Sequence, residues 1–133
     1  MTRSAVRWMA ILVLVGAVAA CAERVPVDVD RAQLMPQSVA TRVIERYLGA
    51  AWLERPRFTI AACFRNDEVI LPIGSIRGAV YNAQQRSLFI MNYPDIVLNC
   101  DLAFVQVANI PIETAREIAT AFVSLGAPIE SVR

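Results

Sequence analysis

The amino-acid sequence predicts an α+β fold: an N-terminal helix, an antiparallel sheet of about five strands, and a C-terminal helix packed on the sheet. Apolar residues recur at helical spacing over 38–53 and again after Pro111. Between these two segments, apolar and polar residues alternate, as they do in half-buried strands. The 133 residues suit one domain of ordinary size.

The first helix is predicted over residues 38–53. Its apolar face is formed by residues three or four positions apart, namely Val39, Val43, Ile44, Tyr47, Leu48, Ala51 and Trp52. Pro56 follows and stops the helix, because proline lacks the backbone donor that a helix needs. We expect Tyr47 and Trp52 to belong to the core rather than to a ligand-binding surface.

Five strands are predicted, near residues 57–65, 69–73, 76–82, 87–92 and 96–107. Their connections are short, which requires antiparallel neighbours. Pro72 cannot donate a hydrogen bond within a sheet, so its strand should lie at an edge or carry a bulge. In the last strand, alternation places Leu98, Cys100, Leu102 and Phe104 together on the inner face.

The C-terminal helix is predicted from Pro111 to about residue 125. Its apolar face consists of Ala115, Ile118, Ala119, Phe122 and Val123. Gly126 and then Pro128 follow, which is the usual order of residues after the end of a helix.

The N-terminus has the features of a signal peptide. Arg3 and Arg7 precede a continuous apolar run over residues 8–20. A helix needs about 20 apolar residues to cross a bilayer, so this run is too short to be a typical membrane span.

The run ends in Val18-Ala19-Ala20-Cys21, which resembles the lipobox of bacterial lipoprotein precursors. The resemblance implies that the Cys21 thiol receives diacylglycerol, that cleavage leaves Cys21 as the mature N-terminus, and that acyl chains such as palmitate anchor the protein to a membrane. Ala22 rather than Asp follows the cysteine, which by the sorting pattern of enteric lipoproteins implies the outer membrane, facing the periplasm. The chain therefore divides into a lipoprotein signal peptide (1–20), a lipidated cysteine with a tether (21–37) and a small α+β domain (38–133).

Cys63 and Cys100 are predicted to form a disulfide. With Cys21 acylated, they are the remaining pair of cysteines in an oxidising compartment. Two buried free thiols are the alternative. Alternation also places Cys63 on the face opposite Phe58 and Ile60, so a bond to Cys100 would need a bulge or a curled sheet edge.

The composition excludes several kinds of chemistry. The chain has no His, and all 13 basic residues are Arg, so histidine dyads, histidine metal ligands and Schiff-base lysines are excluded. The net charge of +1 gives no reason to expect nucleic acid as a partner. We predict no catalytic residues, no metal and no cofactor.

Asp101 in the last strand and the pair Asp67-Glu68 are the carboxylates considered for a polar site, with solvated surface as the simpler interpretation.

Two groups of side chains are candidates for a binding surface. Five arginines near the strands can meet anionic headgroups or a carboxylate-bearing partner, or can serve solubility alone: Arg55, Arg57, Arg65, Arg77 and Arg86. Tyr81, Phe89 and Tyr93 can form an exposed aromatic patch, or can pack within the sheet.

The sequence therefore predicts a non-enzymatic cell-envelope lipoprotein that binds another envelope protein, as an assembly accessory. The alternative is a small domain that binds a hydrophobic ligand or lipid in a pocket lined by Leu88, Ile90 and Leu102. The order of elements also weakly resembles small pleckstrin-homology-like domains, a series of strands closed by a C-terminal helix. That resemblance implies no particular functional residue here.

Overall fold

The computed structural model of the chain describes residues 24–133. The predicted signal peptide and Cys21 lie outside the described residues. The predicted α+β class is confirmed, with six strands rather than five in one antiparallel sheet.

The sheet has the strand order β1-β4-β5-β6-β2-β3. Every pair of neighbouring strands is antiparallel. The strands span Arg24–Pro26 (β1), Arg57–Ile60 (β2), Asp67–Ile70 (β3), Gly78–Asn82 (β4), Ser87–Met91 (β5) and Ala103–Val107 (β6). The first and third strands are therefore the two edges of the sheet.

Three α-helices form the second layer: α1 (Gln37–Leu48), α2 (Ala50–Glu54) and α3 (Ile112–Ser124). The single helix predicted over 38–53 is divided into two, because Gly49 adopts a φ of 95° that interrupts the helical backbone. Gly126 has a φ of 98° just beyond α3, so the predicted C-terminal end of this helix is confirmed.

The core lies between the helices and the inner face of the sheet. The inner face carries Phe58, Ile60, Ala79, Tyr81, Leu88, Ile90 and Val107, all buried. Trp52 from α2 packs edge-on against Phe58 at 5.6 Å and against Phe122 of α3 at 5.9 Å between ring centroids. Its indole Nε1 donates a hydrogen bond to the carbonyl of Arg57, so the prediction that Trp52 belongs to the core is confirmed. Tyr47 is half-buried against the same core.

The tether prediction is wrong from Arg24 onward. Residues Arg24–Pro26 pair with β4, and the next two apolar residues, Val27 and Val29, are fully buried. Val29 also pairs with the C-terminal segment, donating its N–H to Ser131 and accepting from Arg133. The physical reason is visible in the sequence, because valines alternate with other residues from position 25 to 29 as in a strand.

Two predicted strands are shorter than expected. The strand predicted over 57–65 ends at Ile60, and the strand predicted over 96–107 begins only at Ala103. The prediction that Leu98 lies on an inner sheet face is wrong, since its side chain is fully exposed. Strand β3 is an edge strand, one of the two alternatives predicted, but it ends at Ile70, so Pro72 lies beyond the strand rather than within it.

Candidate functional site

Two loops meet at one end of the sheet and are joined by the predicted disulfide. Cys63 lies in the β2–β3 loop and Cys100 in the β5–β6 connection, with their Cα atoms 5.2 Å apart. Both cysteines lie outside the strands, which removes the conflict between the disulfide and the alternation of faces. We call residues 61–66 and 92–102 the clasped loops.

The first clasped loop presents Phe64 to solvent. The N–H of Arg65 donates to the carbonyl of Ala62, and the two residues inside this turn have φ values of 53° (Cys63) and 62° (Phe64). Two consecutive left-handed residues are typical of a type I′ turn, which normally uses Asn or Gly. Left-handed backbone costs other residues about 1–2 kcal/mol each. The phenylalanine is nevertheless fully exposed at this strained corner.

The second clasped loop crosses the outer face of the sheet. A Cβ on Gly78 would lie 2.1 Å from the backbone oxygen of Tyr93, so the loop passes directly over β4. Two outward-facing residues, Val80 and Met91, are fully buried as a consequence. The side chain of Asn92 holds the two ends of the loop together, because it donates to the carbonyl of Asp101 and accepts from the N–H of Ala103.

Ion pairs fix the charged residues of these loops. Arg24 of β1 lies 3.4 Å from the carboxylate of Asp95, and Arg65 bridges Asp67 at 3.0 Å and Asp101 at 3.5 Å. The prediction that Asp101 lies within a strand is wrong, since it occupies the turn before β6. Its carboxylate is exposed and contributes to the link between the loops.

The apolar segment between these ion pairs is exposed. Leu98 is fully exposed, and Ile96 and Val97 are 37% and 40% exposed. No charged residue lies between Asp95 and Asp101 in the sequence. The segment is thus an uncharged apolar stretch flanked by two paired carboxylates.

A groove lies at the other end of the β2–β3 hairpin. It has a volume of about 450 Å³ and is lined by Ala51, Glu54, Arg55, Arg57 and Ile70. Neither of its two guanidinium groups forms an ion pair with a residue of the described chain. Ile70 is 47% exposed at the edge of the sheet. The groove therefore offers positive charge and apolar surface beside an open strand.

The five predicted surface arginines do not form one surface. Arg65 is engaged by the two aspartates of the clasped loops, and Arg77 pairs with Glu130 near the C-terminus. Arg86 lies in the β4–β5 turn. The structure brings together only Arg55 and Arg57, which flank the buried Pro56.

The three aromatic residues considered for a patch are not grouped on the surface. Tyr81 is buried, and its hydroxyl donates to the carbonyl of Ile110 at 2.7 Å. Phe89 faces the outer side and packs against Phe104, with ring centroids 5.9 Å apart. Tyr93 is half-buried in the second clasped loop. Tyr81 and Phe89 therefore pack within the sheet, which was the alternative to an exposed aromatic patch.

The residues expected to line a ligand pocket are packed into the core or lie in a loop. Leu88 and Ile90 have no exposed surface and contact the buried cluster between sheet and helices. Leu102 is half-buried beside Cys100. A second groove of about 340 Å³ lies elsewhere, where Gln33 and Met35 meet α3. Neither groove is lined by the three predicted residues.

Comparison with known proteins adds no relative: no family model, curated protein or solved structure matches the chain. Within residues 24–133, no helix is long and apolar enough to cross a bilayer. The same residues contain no group of three acidic, cysteine or histidine side chains placed to hold a metal ion.

Sequence reasoning missed the exposed apolar residues Phe64 and Leu98. Both lie within predicted strands, 57–65 and 96–107, and both fit the alternating pattern of residues on a buried strand face. The signal that distinguishes them is their position within two residues of a cysteine of the disulfide, since a disulfide between loops places its neighbours near a turn.

Proposed function

We propose that this protein is a cell-envelope lipoprotein, anchored through acylated Cys21, whose domain binds another envelope protein without catalysing a reaction. The partner surface is the outer side of the β2–β3 hairpin. We call it the hairpin edge and define it by Arg55, Arg57, Phe64 and Ile70.

The main observation that supports this partner surface is the full exposure of the Phe64 side chain. A fully exposed phenylalanine at a left-handed position is unfavourable in two ways, through its apolar surface and through its backbone. Strained backbone concentrates at functional sites, where the surrounding structure holds it. Here the disulfide of the neighbouring Cys63 holds it. Aromatic residues are also frequent among the side chains that dominate binding energy at protein interfaces.

The open strand beside Phe64 supports the same surface. Of the described strands, only β2 pairs with β3, so one side of β3 has free backbone donors and acceptors. An extended segment of a partner can add to such an edge, with main-chain hydrogen bonds giving affinity. The unpaired guanidinium groups of Arg55 and Arg57 at the end of the strand suit a carboxylate on that segment.

Attachment to a membrane makes such a surface effective. Confinement to the membrane raises the effective concentration of the domain near membrane-bound partners. Two or three acyl chains give stable anchoring, whereas a single chain binds a membrane only marginally.

The anchor is tested with Cys21→Ala. We expect this variant to accumulate as precursor retaining residues 1–20 and to carry no acyl group, as measured by intact mass and palmitate labelling. Cys63→Ala is the control, and it should be processed and acylated normally. A Cys21→Ala protein of mature size with bound palmitate would contradict the anchor.

The partner surface is tested by cross-linking in the envelope of the native cell. A photo-reactive phenylalanine analogue at position 64 or 70 should give one reproducible adduct with the same protein. The same analogue at Ala108, which is exposed in the β6–α3 turn, should not give it. Adducts of equal yield from all three positions would contradict a specific hairpin edge.

Charge reversal sharpens this experiment. The double change Arg55→Glu and Arg57→Glu should weaken the adduct formed from position 64, because a carboxylate of the partner would then meet like charge. Arg86→Glu is the matched control, since Arg86 is exposed and lies away from the hairpin edge. Equal loss in both variants would indicate a general effect of charge and would contradict the proposed role of the groove.

A further inference from the structure

The domain begins with β1 at Arg24 rather than at residue 38, so it lies close to the membrane to which acylated Cys21 would attach it. This inference rests on the proposed acylation of Cys21. Arg24 already belongs to β1 and follows Cys21 by three positions. Three residues span at most about 11 Å, even when fully extended. The described part of the domain therefore begins within about 11 Å of the residue that would carry the lipid.

The structure also shows which part of the domain lies beside the anchor. The Arg24 side chain points to the outer face of the sheet and pairs with Asp95 at 3.4 Å. Asp95 is followed immediately by Ile96, Val97 and Leu98, the exposed apolar stretch of the second clasped loop. The attachment point of the lipid and this apolar stretch are thus linked by a direct ion pair.

We propose that residues 96–98 insert into the interfacial region of the bilayer that carries the lipid anchor. The inserted surface is the exposed apolar area of three consecutive side chains, whose transfer out of water is favourable. A loop can enter this region only if it brings no unpaired charge, because desolvation of an unpaired carboxylate is costly. The two carboxylates that flank the stretch, Asp95 and Asp101, are each paired with an arginine.

Insertion would orient the whole domain. The anchor and the Arg24–Asp95 ion pair lie at the β1 edge, and strand β3 is the opposite edge of the six-stranded sheet. Five strand spacings of about 4.8 Å separate β1 from β3, roughly 24 Å. The open side of β3 near Ile70, with Arg55 and Arg57, would therefore lie away from the anchor, whereas Phe64, next to the Cys63–Cys100 disulfide, would lie close to the inserted loop.

Tryptophan fluorescence of the full acylated protein in vesicles tests this proposal. The vesicles contain phosphatidylethanolamine and phosphatidylglycerol, with or without brominated acyl chains that quench nearby indole. In Leu98→Trp, the emission added to that of Trp52 should be blue-shifted on vesicles. Most of this added emission should be quenched when the acyl chains are brominated. Trp52 is buried and provides a constant background, which is measured on the unsubstituted protein.

The control is Val39→Trp, an exposed apolar position on α1 in the layer opposite the outer sheet face. It should stay unquenched on the same vesicles. Equal quenching at positions 39 and 98, or no quenching at position 98, would overturn the proposal. Quenching at position 39 alone would overturn it as well, because the helical layer would then face the lipid.

Two measurements separate this proposal from the proposed function. Intact mass of each sample establishes acylation before vesicles are added, so a missing anchor is detected independently of the fluorescence. If position 98 is unquenched in an acylated, vesicle-bound protein, the insertion fails while the anchor stands. Val97→Asp combined with Leu98→Trp should abolish the quenching and leave the mass unchanged, whereas quenching that survives this change would overturn insertion of the loop.

Discussion

The two edges of the sheet differ in how they are closed. At the β1 edge, β1 pairs only with β4 among the described strands, but the chain then continues into two fully buried valines, Val27 and Val29, and Val29 pairs with the C-terminal segment. At the β3 edge, Asp67 and Glu68 are exposed, and no described strand pairs with the outer side. Residues 27–29, which follow β1, therefore contribute to stability, whereas the β3 edge carries exposed side chains that a partner can reach.

The open edge is protected against unspecific pairing. Exposed strand edges promote aggregation unless charges, prolines or short length prevent it. Strand β3 is four residues long, carries two carboxylates and is followed closely by Pro72. A partner strand that brings no complementary charge would therefore pair poorly there, which favours a selective interaction over self-association.

The largest expected effect concerns the support beneath the open edge. Trp52 packs under β2 and donates a hydrogen bond to Arg57, so Trp52→Ala removes both the ring contacts and the bond. We expect a loss of about 3–5 kcal/mol in the free energy of unfolding. Urea denaturation measures it. The control Leu34→Ala removes an exposed side chain and should be nearly neutral, and an unchanged midpoint for Trp52→Ala would contradict its place in the core.

The next effect concerns the disulfide that holds the loops. Replacing Cys63 and Cys100 together by Ser removes a cross-link between residues 37 positions apart. We expect a loss of about 2–4 kcal/mol, mainly because the unfolded chain is no longer constrained. Denaturation of the variant should match that of the reduced parent protein. Two alkylatable thiols in protein isolated from cells without reduction would show that the bond does not form in the cell.

Gly78 tests the path of the second clasped loop over the sheet. A Cβ at this position would meet backbone oxygens of Tyr93 and Pro94, which cannot move without displacing the loop. Gly78→Ala should therefore cost about 1–3 kcal/mol, as overpacking does in cores. Gly74→Ala is the matched control, because a Cβ there meets nothing within 4 Å. Equal stability of the two variants would contradict the path of residues 92–102 over β4.

The helices and the central strands could be predicted from the sequence because their signals are local. The apolar stripe of α3 and the alternation around Leu88 and Tyr81 depend on periodicity, and the structure follows both. Gly49 was missed as a break because a glycine within a helical pattern is often tolerated. Its positive φ separates α1 from α2, and Trp52 of α2 packs against Phe58 of the sheet.

The candidate site was harder to predict because it depends on contacts between distant segments. Cys63 and Cys100 were correctly paired, because with Cys21 set aside for acylation they are the two remaining cysteines. Phe64 fits an alternating strand as well as it fits a turn, but β2 ends at Ile60, and the left-handed backbone of Cys63 and Phe64 forms a turn beyond it. Grouping of Arg55 with Arg57 in one groove likewise depends on where Ile70 of the neighbouring strand lies.

The smallest effect gives the most direct comparison of the two edges. Val29→Ala at the closed edge deletes two buried carbon atoms and should cost about 1.5 kcal/mol, from roughly 0.8 kcal/mol per carbon. Ile70→Ala at the open edge removes more carbon atoms, yet it should cost under about 0.5 kcal/mol, as surface substitutions usually do. Chemical denaturation of both variants measures the difference. A larger loss in the free energy of unfolding for Ile70→Ala would mean that Ile70 stabilises the fold. This result would contradict the proposal that Ile70 belongs to a surface available to a partner.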